Sequence, residues 1–396
     1  MIPPKTSCSV PESIRPASFI LKAQKTSQHN LKSIVRLWLF ISLTLLFSIY
    51  GANKAHSQDK PEFYKGFTWG FPGIRGDYLG RRAAESMQKL AETNSNTVCI
   101  AFAASMDTPG STEILWGKKN PDMVTDSEIR HAVQLARENH LKVILKPMVN
   151  IKDGTWRARI KFNTKSGEKD LKAWGKWWKE YNAYIIHYAK LAQETQADMF
   201  ALGCEMNSTE GFKEQWLNLI RSVRKVYSGR LTYNVNHDRL NQVNWWSAVD
   251  VISISAYFPV GAVDSAASGK TVKKEDTSVT GMAARWKIIR KTLEQLSRKW
   301  NRPIFFIETG MANGKHFAMT PWISPNDSTV DDEGEQARFY EALLKSFWYE
   351  PWFIGVTWWD WPARLYSAEQ AHKNIGFCVY GKEAEKVVRK WYSKKR

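Results

Sequence analysis

Metal-ligand spacing is missing from this sequence. Its eight histidines are scattered, with no HExxH or related pattern, so no metal centre is implied. Cysteine is scarce too. Cys8, Cys99, Cys204 and Cys378 form no CxxC pair and no paired framework, which excludes a disulfide-stapled scaffold and a zinc ribbon. No GxGxxG or Walker glycine loop follows any strand-like run, so nucleotide binding is not indicated and no cofactor is expected. No low-complexity linker interrupts the chain after Pro61, so residues 61–396 read as one domain. The apolar run LWLFISLTLLFSIY at 37–50 is shorter than the roughly 17–25 residues a spanning helix needs.

That run belongs to a recognisable N-terminal arrangement. A basic region rich in Ser, Pro and Lys leads into it, and GANKAHSQDK with its small residues follows. The order describes an export signal over residues 1–57, cleaved after Ser57, with a retained membrane anchor as the alternative. The expected location is therefore exported, meaning secreted, periplasmic or on the cell surface. Removing 1–57 takes away seven basic residues and one acid, so the net charge falls from +18 to +12. The remaining basic residues are dispersed and accompany no nucleic-acid recognition motif, so nucleic acid is not an expected partner. Such a charge suits a solvated basic face or association with an anionic cell envelope. Oligomeric state leaves no signature.

What the chain does hold is an alternation of strand-like and helix-like segments. Strand-like runs occur at 65–70, 96–102, 142–148, 198–205, 230–236, 250–257, 303–308 and 353–361, and nearly every gap between them has helical spacing. The clearest helix covers about 171–195, with Leu171, Trp174, Trp178, Tyr181, Ile185, Tyr188 and Leu191 on one face. Another starts at the capping box Thr125 to Glu128. Eight strand-then-helix units predict an α/β fold, a closed (β/α)8 TIM barrel; an open doubly wound sheet is the alternative. Helix-to-strand connections are minimal, whereas the strand-to-helix stretches at 103–124, 149–170, 258–280 and 309–334 are long. In a barrel all of those emerge at the C-terminal face, where active sites are built.

Two strands close on glutamate directly after an apolar run. FALGCE puts Glu205 at the end of the fourth, and IFFIE puts Glu308 at the end of the seventh. A carboxylate ending a buried strand is costly unless it is solvated or used. Retaining glycoside hydrolysis needs two such groups roughly 5–5.5 Å apart, one a proton donor and the other a nucleophile. Structural ion pairs with arginine are the competing explanation for each glutamate taken singly. Nineteen tryptophans exceed ordinary core needs, and Trp is well shaped to stack on a sugar face.

The segments GFTWG, LKP with DGTWR, FALGCE, LTYN, ISISAYFPV, FIETG and WWDW, in that order, resemble glycoside hydrolase family 113, in the clan A group of retaining barrel hydrolases. The resemblance covers nearly all of 61–396. It implies a retaining endo-β-1,4-mannanase acting on a β-linked glycan, with Glu205 as acid/base and Glu308 as nucleophile. It also implies a supporting role for Tyr257 beside the nucleophile and a sugar-stacking Trp at the close of the eighth strand, where Trp358, Trp359 and Trp361 flank Asp360. Many clan members have Asn directly before the acid/base, but this chain has Cys204. Met148 and Asn150 likewise stand where more polar and acidic residues are expected.

Further candidates for substrate contact are Trp69 at the end of the first strand, Trp156 and Arg157 in the third long loop, Asn236 and His237 closing the fifth strand, and Trp358, Trp359 and Asp360. Neighbouring strand residues face opposite sides, so at most one or two of the terminal tryptophans can reach the mouth. Lys146 raises a different chemistry, because a lysine inside a barrel strand can form a Schiff base, as in aldolase-type lyases. Two other readings of the site are an exo-acting β-mannosidase or other clan A β-glycosidase, and a carbohydrate-binding protein without activity.

Overall fold

The computed structural model describes residues 62–265 and 272–396. The expected export segment, 1–57, lies outside the described residues. Within the unit Glu62–Arg396, eight parallel strands close into a barrel: β1 (Tyr64–Trp69), β2 (Thr97–Met106), β3 (Lys142–Ile151), β4 (Met199–Cys204), β5 (Arg230–Asn236), β6 (Val251–Ser255), β9 (Ile304–Thr309) and β10 (Phe353–Trp361). Two short strands, β7 (Ala262–Ser265) and β8 (Val272–Glu275), form an antiparallel hairpin in the long connection after β6. No helix among the described residues is long and apolar enough to cross a membrane.

Seven α-helices are present among the described residues: α1 (Gly80–Ala91), α2 (Asp126–Glu138), α3 (Leu171–Glu194), α4 (Lys213–Arg224), α5 (Val279–Trp300), α6 (Glu333–Phe347) and α7 (Glu383–Tyr392). The Thr125–Glu128 box closes α2 reciprocally, side chain to backbone in both directions. Asp170 caps α3 through the N–H of Ala173, and Trp174, Trp178, Tyr181, Ile185, Tyr188 and Leu191 are buried as their spacing predicts. Leu171 is not; it begins the helix and is exposed. Of the eight strand-then-helix units expected, the one after β5 lacks its α-helix. That stretch contains only the one-turn 3-10 segment Trp246–Ala248, and the buried rings of Trp245 and Trp246 fill the flank against Tyr233, with Trp245 stacked on Trp216.

Period-two alternation divides each strand between two cores. In β9, Phe305 and Ile307 join Tyr64, Cys99, Ile144, Met199 and Ala201 in a cluster inside the barrel, while Ile304 and Phe306 pack outward among the helices. β2 and β3 stay in unbroken register to Met106 and Ile151, so both extend past the ends their composition suggests. Register breaks elsewhere: β4 against β5 between Ala201 and Cys204, β9 against both its neighbours, and β1 against β10 between Phe67 and Trp69. The loops on the C-terminal rim are the long ones, and the opposite rim is closed by short connections.

Candidate active site

Glu205 and Glu308 line one cleft of about 530 Å³ at the C-terminal mouth of the barrel, with Trp156, Asn236, His237, Asp238, Tyr257, Trp322, Ser324, Trp359 and Phe377. A register break sets the direction of Glu308, and a backbone turn sets that of Glu205. Strict alternation from Phe305 and Ile307 would turn Glu308 outward among the helices; the irregular pairing of β9 returns it to the mouth. Parity from the inward Met199 and Ala201 would point Glu205 inward, but the break between Ala201 and Cys204 turns Cys204 to the interior beside Ala101, Ala103 and Met148 and would leave Glu205 facing away. Its backbone instead takes φ of +53°, in the left-handed region, and its carboxyl group reaches the cleft.

The two carboxyl groups have opposite surroundings. Glu205 Oε2 accepts from Trp156 Nε1 at 2.8 Å and from Arg157 at 3.2 Å. Arg157 is itself held by the carbonyl of Val149 at 2.9 Å and by Asn150 Oδ1 at 2.7 Å, which gives Asn150 a use. Burial, and then the charge of Glu308, push the Glu205 carboxyl above its ordinary range; Arg157 and the hydrogen bonds from Trp156 and Ser255 only partly oppose them. Glu308 is supplied with donors. The ammonium of Lys146 pairs with Oε2, and the Tyr257 hydroxyl donates to Oε1 at 3.1 Å. One group is therefore biased toward keeping a proton and the other is built around a negative charge.

Lys146 is fully buried on the inward face of β3. Burial works against its charge, but its pKa is raised by the negative groups around it. Burial also pushes the neighbouring Cys204 thiol up, so that thiol is neutral and the counter-charge is Glu308. A lysine held as an ammonium on a carboxylate is not a nucleophile, which overturns the Schiff-base alternative.

Of the other sequence candidates, Trp156, Asn236, His237, Tyr257 and Trp359 line the cleft. Arg157 is not part of that lining; it and Trp156 both hold Glu205. Trp359 packs on Phe71, with the Lys146 ammonium 5.8 Å from its ring centre. His237 lies under Trp322, ring centres 5.8 Å apart, and burial lowers its pKa.

Trp69 and Trp358 require correction, since both are fully buried away from the cleft. Trp69 donates to Ser86 Oγ at 3.0 Å and packs on Tyr78. Trp358 stacks on Tyr340 at 3.9 Å, because alternation along β10 sends it outward while Trp359 faces in. Asp360 lies just beyond Trp359, is not part of the cleft lining, and has its carboxyl pushed up to about 6 by burial.

Sequence reasoning missed Asp238, Trp322, Ser324 and Phe377 as cleft residues, and missed Lys146 as partner of Glu308. Lys146 left one signal: a lysine with the parity of the inward residue Ile144 must find a counter-charge inside the barrel. The loop residues left none.

Residues 67–382 match Glycoside Hydrolase Family 113. Among solved structures, the chain is similar to the family 113 β-mannanase of Alicyclobacillus acidocaldarius in complex with ManMIm, at 38% identity over 84% of this chain and 97% of that one, with a TM-score of 0.74. It is also similar to a family 113 β-1,4-mannanase at 34% identity, covering 84% of this chain and 100% of the other, with a TM-score of 0.73. A Ruminococcus gnavus β-glucuronidase shares the fold at 13% identity and a TM-score of 0.55, covering 85% of this chain and 50% of that one. No curated protein sequence matches.

Proposed function

The chain belongs to glycoside hydrolase family 113, and from that premise we propose that it is a retaining endo-β-1,4-mannanase in which Glu308 is the nucleophile and Glu205 the acid/base. The Glu308 carboxylate attacks the anomeric carbon as the bond to the departing sugar oxygen breaks, and Glu205 gives that oxygen its proton. Glu205, now ionised, takes a proton from water. The resulting hydroxyl attacks the same carbon and frees Glu308. Two inversions leave the β configuration unchanged.

The observation that carries this reading is the asymmetry of the pair in one cleft: a Glu308 bound by Lys146 and Tyr257, facing a buried Glu205 whose pKa is raised by burial and by the charge of Glu308. Choice of sugar and internal cleavage rest on the mannanases to which the chain is similar. Trp156, Asn236, His237, Tyr257 and Trp359, candidates from the sequence that line the cleft, are the proposed substrate contacts, joined by Asp238 and Trp322, while Arg157 acts through Glu205. Proton NMR of manno-oligosaccharide hydrolysis tests the reading. β-Anomer appearing first supports it, and α-anomer first refutes it.

We further propose that residues 1–57 direct export and that the basic hydrolase domain associates with an anionic envelope. N-terminal sequencing of the extracytoplasmic protein tests this. A mature chain starting near Gln58 supports cleavage, and recovery only in the cytoplasm refutes export.

A further inference from the structure

Glu210 lies outside the cleft, in the same loop between β4 and α4 as Glu205, and is fully buried. Such a carboxyl group is costly unless it serves a partner. Its partner here is Tyr233 of β5, whose hydroxyl donates to Glu210 Oε1 at 3.0 Å. The same hydroxyl oxygen accepts the N–H of Met206 at 3.1 Å. Met206 directly follows Glu205, and the N–H of Glu205 itself donates to the carbonyl of Asn234 at 2.8 Å. The peptide groups on both sides of the Glu205 side chain are thus tied to consecutive residues of β5.

That double tie matters because Glu205 has φ of +53°, a conformation disfavoured for any residue with a Cβ. Its carboxyl group reaches the cleft only while the turn persists. One tie is backbone to backbone and comes with the fold. The other depends on where the Tyr233 hydroxyl points, since a hydroxyl has one proton and must send it to an acceptor if its oxygen is to receive from Met206.

We propose that Glu210 is a positioning residue for the acid/base: it accepts the Tyr233 proton, orients the hydroxyl oxygen toward Met206, and so holds the left-handed turn that aims Glu205 into the cleft. The inference rests on the assignment of Glu205 as acid/base. Burial pushes the Glu210 carboxyl up to about 7, opposed by the Tyr233 hydrogen bond and by Arg239, whose Nε is 3.5 Å away, while Asp238 adds to the rise. Either protonation state can accept at Oε1, so the acceptor rather than the charge is what Tyr233 requires.

The test uses leaving groups. A mannose oligomer departs as a poorly stabilised alkoxide and needs the Glu205 proton, whereas dinitrophenolate is stable as an anion and does not. kcat/KM, which reports through formation of the glycosyl-enzyme, is measured for mannohexaose and for a dinitrophenyl β-mannobioside. Glu210→Leu and Tyr233→Phe are expected to lower it for mannohexaose about tenfold or more, and to leave the dinitrophenyl substrate within about threefold. Glu210→Gln retains an acceptor and stays near wild type on both. Tyr233→Phe deletes only a hydroxyl, so it carries the test alone if Glu210→Leu does not fold. Parallel loss on both substrates, or no loss on either, overturns the positioning role. Wild-type turnover of neither substrate overturns the mannanase reading, and this inference with it.

Discussion

The thiol of Cys204 lies 3.8 Å from Oε2 of Glu308, so the residue beside one glutamate touches the other. It also donates to Asn234 Oδ1 at 3.1 Å and is closed in by Ala101, Ala103 and Met148. Burial raises its pKa, which keeps it a neutral S–H. The departure from the clan pattern at this position thus falls below the nucleophile, inside the barrel, rather than on the cleft surface.

Cys204→Ala is therefore expected to lower kcat through the altered floor of Glu308 while leaving KM for mannohexaose unchanged within about twofold. Steady-state kinetics decide it. A large rise in KM with kcat intact would mean that the thiol meets the sugar.

Glu308→Ala removes the nucleophile, and its activity is expected to fall on the order of 10⁴-fold or more. Glu205→Ala is expected to fall about 10²–10⁴-fold on glycans. With added azide, the Glu205 variant should turn over a dinitrophenyl β-glycoside to a β-glycosyl azide, because azide needs no general base. An α-azide, or azide rescue that requires Glu205, contradicts the assigned roles.

Lys146 and Glu308 form a buried ion pair. Lys146→Met strands the carboxylate in the barrel and is expected to cost about 3–5 kcal/mol of stability, most of it recovered when Glu308→Gln is added. Denaturant unfolding of the single and double variants measures this. Additive losses would show that the pair is not coupled.

Arg157 pulls the Glu205 carboxyl down, against burial and the charge of Glu308, which push it up. Removing the guanidinium removes a downward influence, so the acid form of Glu205 persists to higher pH. The basic limb of kcat/KM for Arg157→Met is expected to move alkaline, along with a lower maximum. Movement toward acid would contradict the assignment.

Adjacent tryptophans on β10 should behave oppositely. Trp358→Ala is expected to cost about 3–5 kcal/mol of stability, since its ring stacks on Tyr340 in the core. Trp359→Ala is expected to leave stability nearer wild type and raise KM for mannohexaose about tenfold. Melting curves and kinetics on the two variants separate these effects.

Much of this architecture was legible in the chain itself. The apolar periods and the unequal loops determined the barrel and which rim carries the site, because burial imposes a period of two on strands and 3.6 on helices whatever surrounds them. The capping box at Thr125 and the buried face of α3 follow from local chemistry, as does the placement of Glu205 and Glu308 at strand ends. The absent helix after β5 was not legible, since Trp245 and Trp246 suit a packed turn as well as a helix face.

What a period cannot reveal is where it breaks. The register shift of β9 brings the Glu308 carboxyl to the cleft, and the left-handed backbone at Glu205 restores the aim that the shift of β4 alone would lose; both shifts depend on pairing with a neighbouring strand. The pairing of Lys146 with Glu308 and the tie from Glu210 through Tyr233 to Met206 join elements far apart in sequence. Sequence alone determined which residue types stand at the barrel mouth. Tertiary structure decided which glutamate is biased toward its acid form and which is held beside a cation, because burial and neighbouring charge exist only once the barrel has closed.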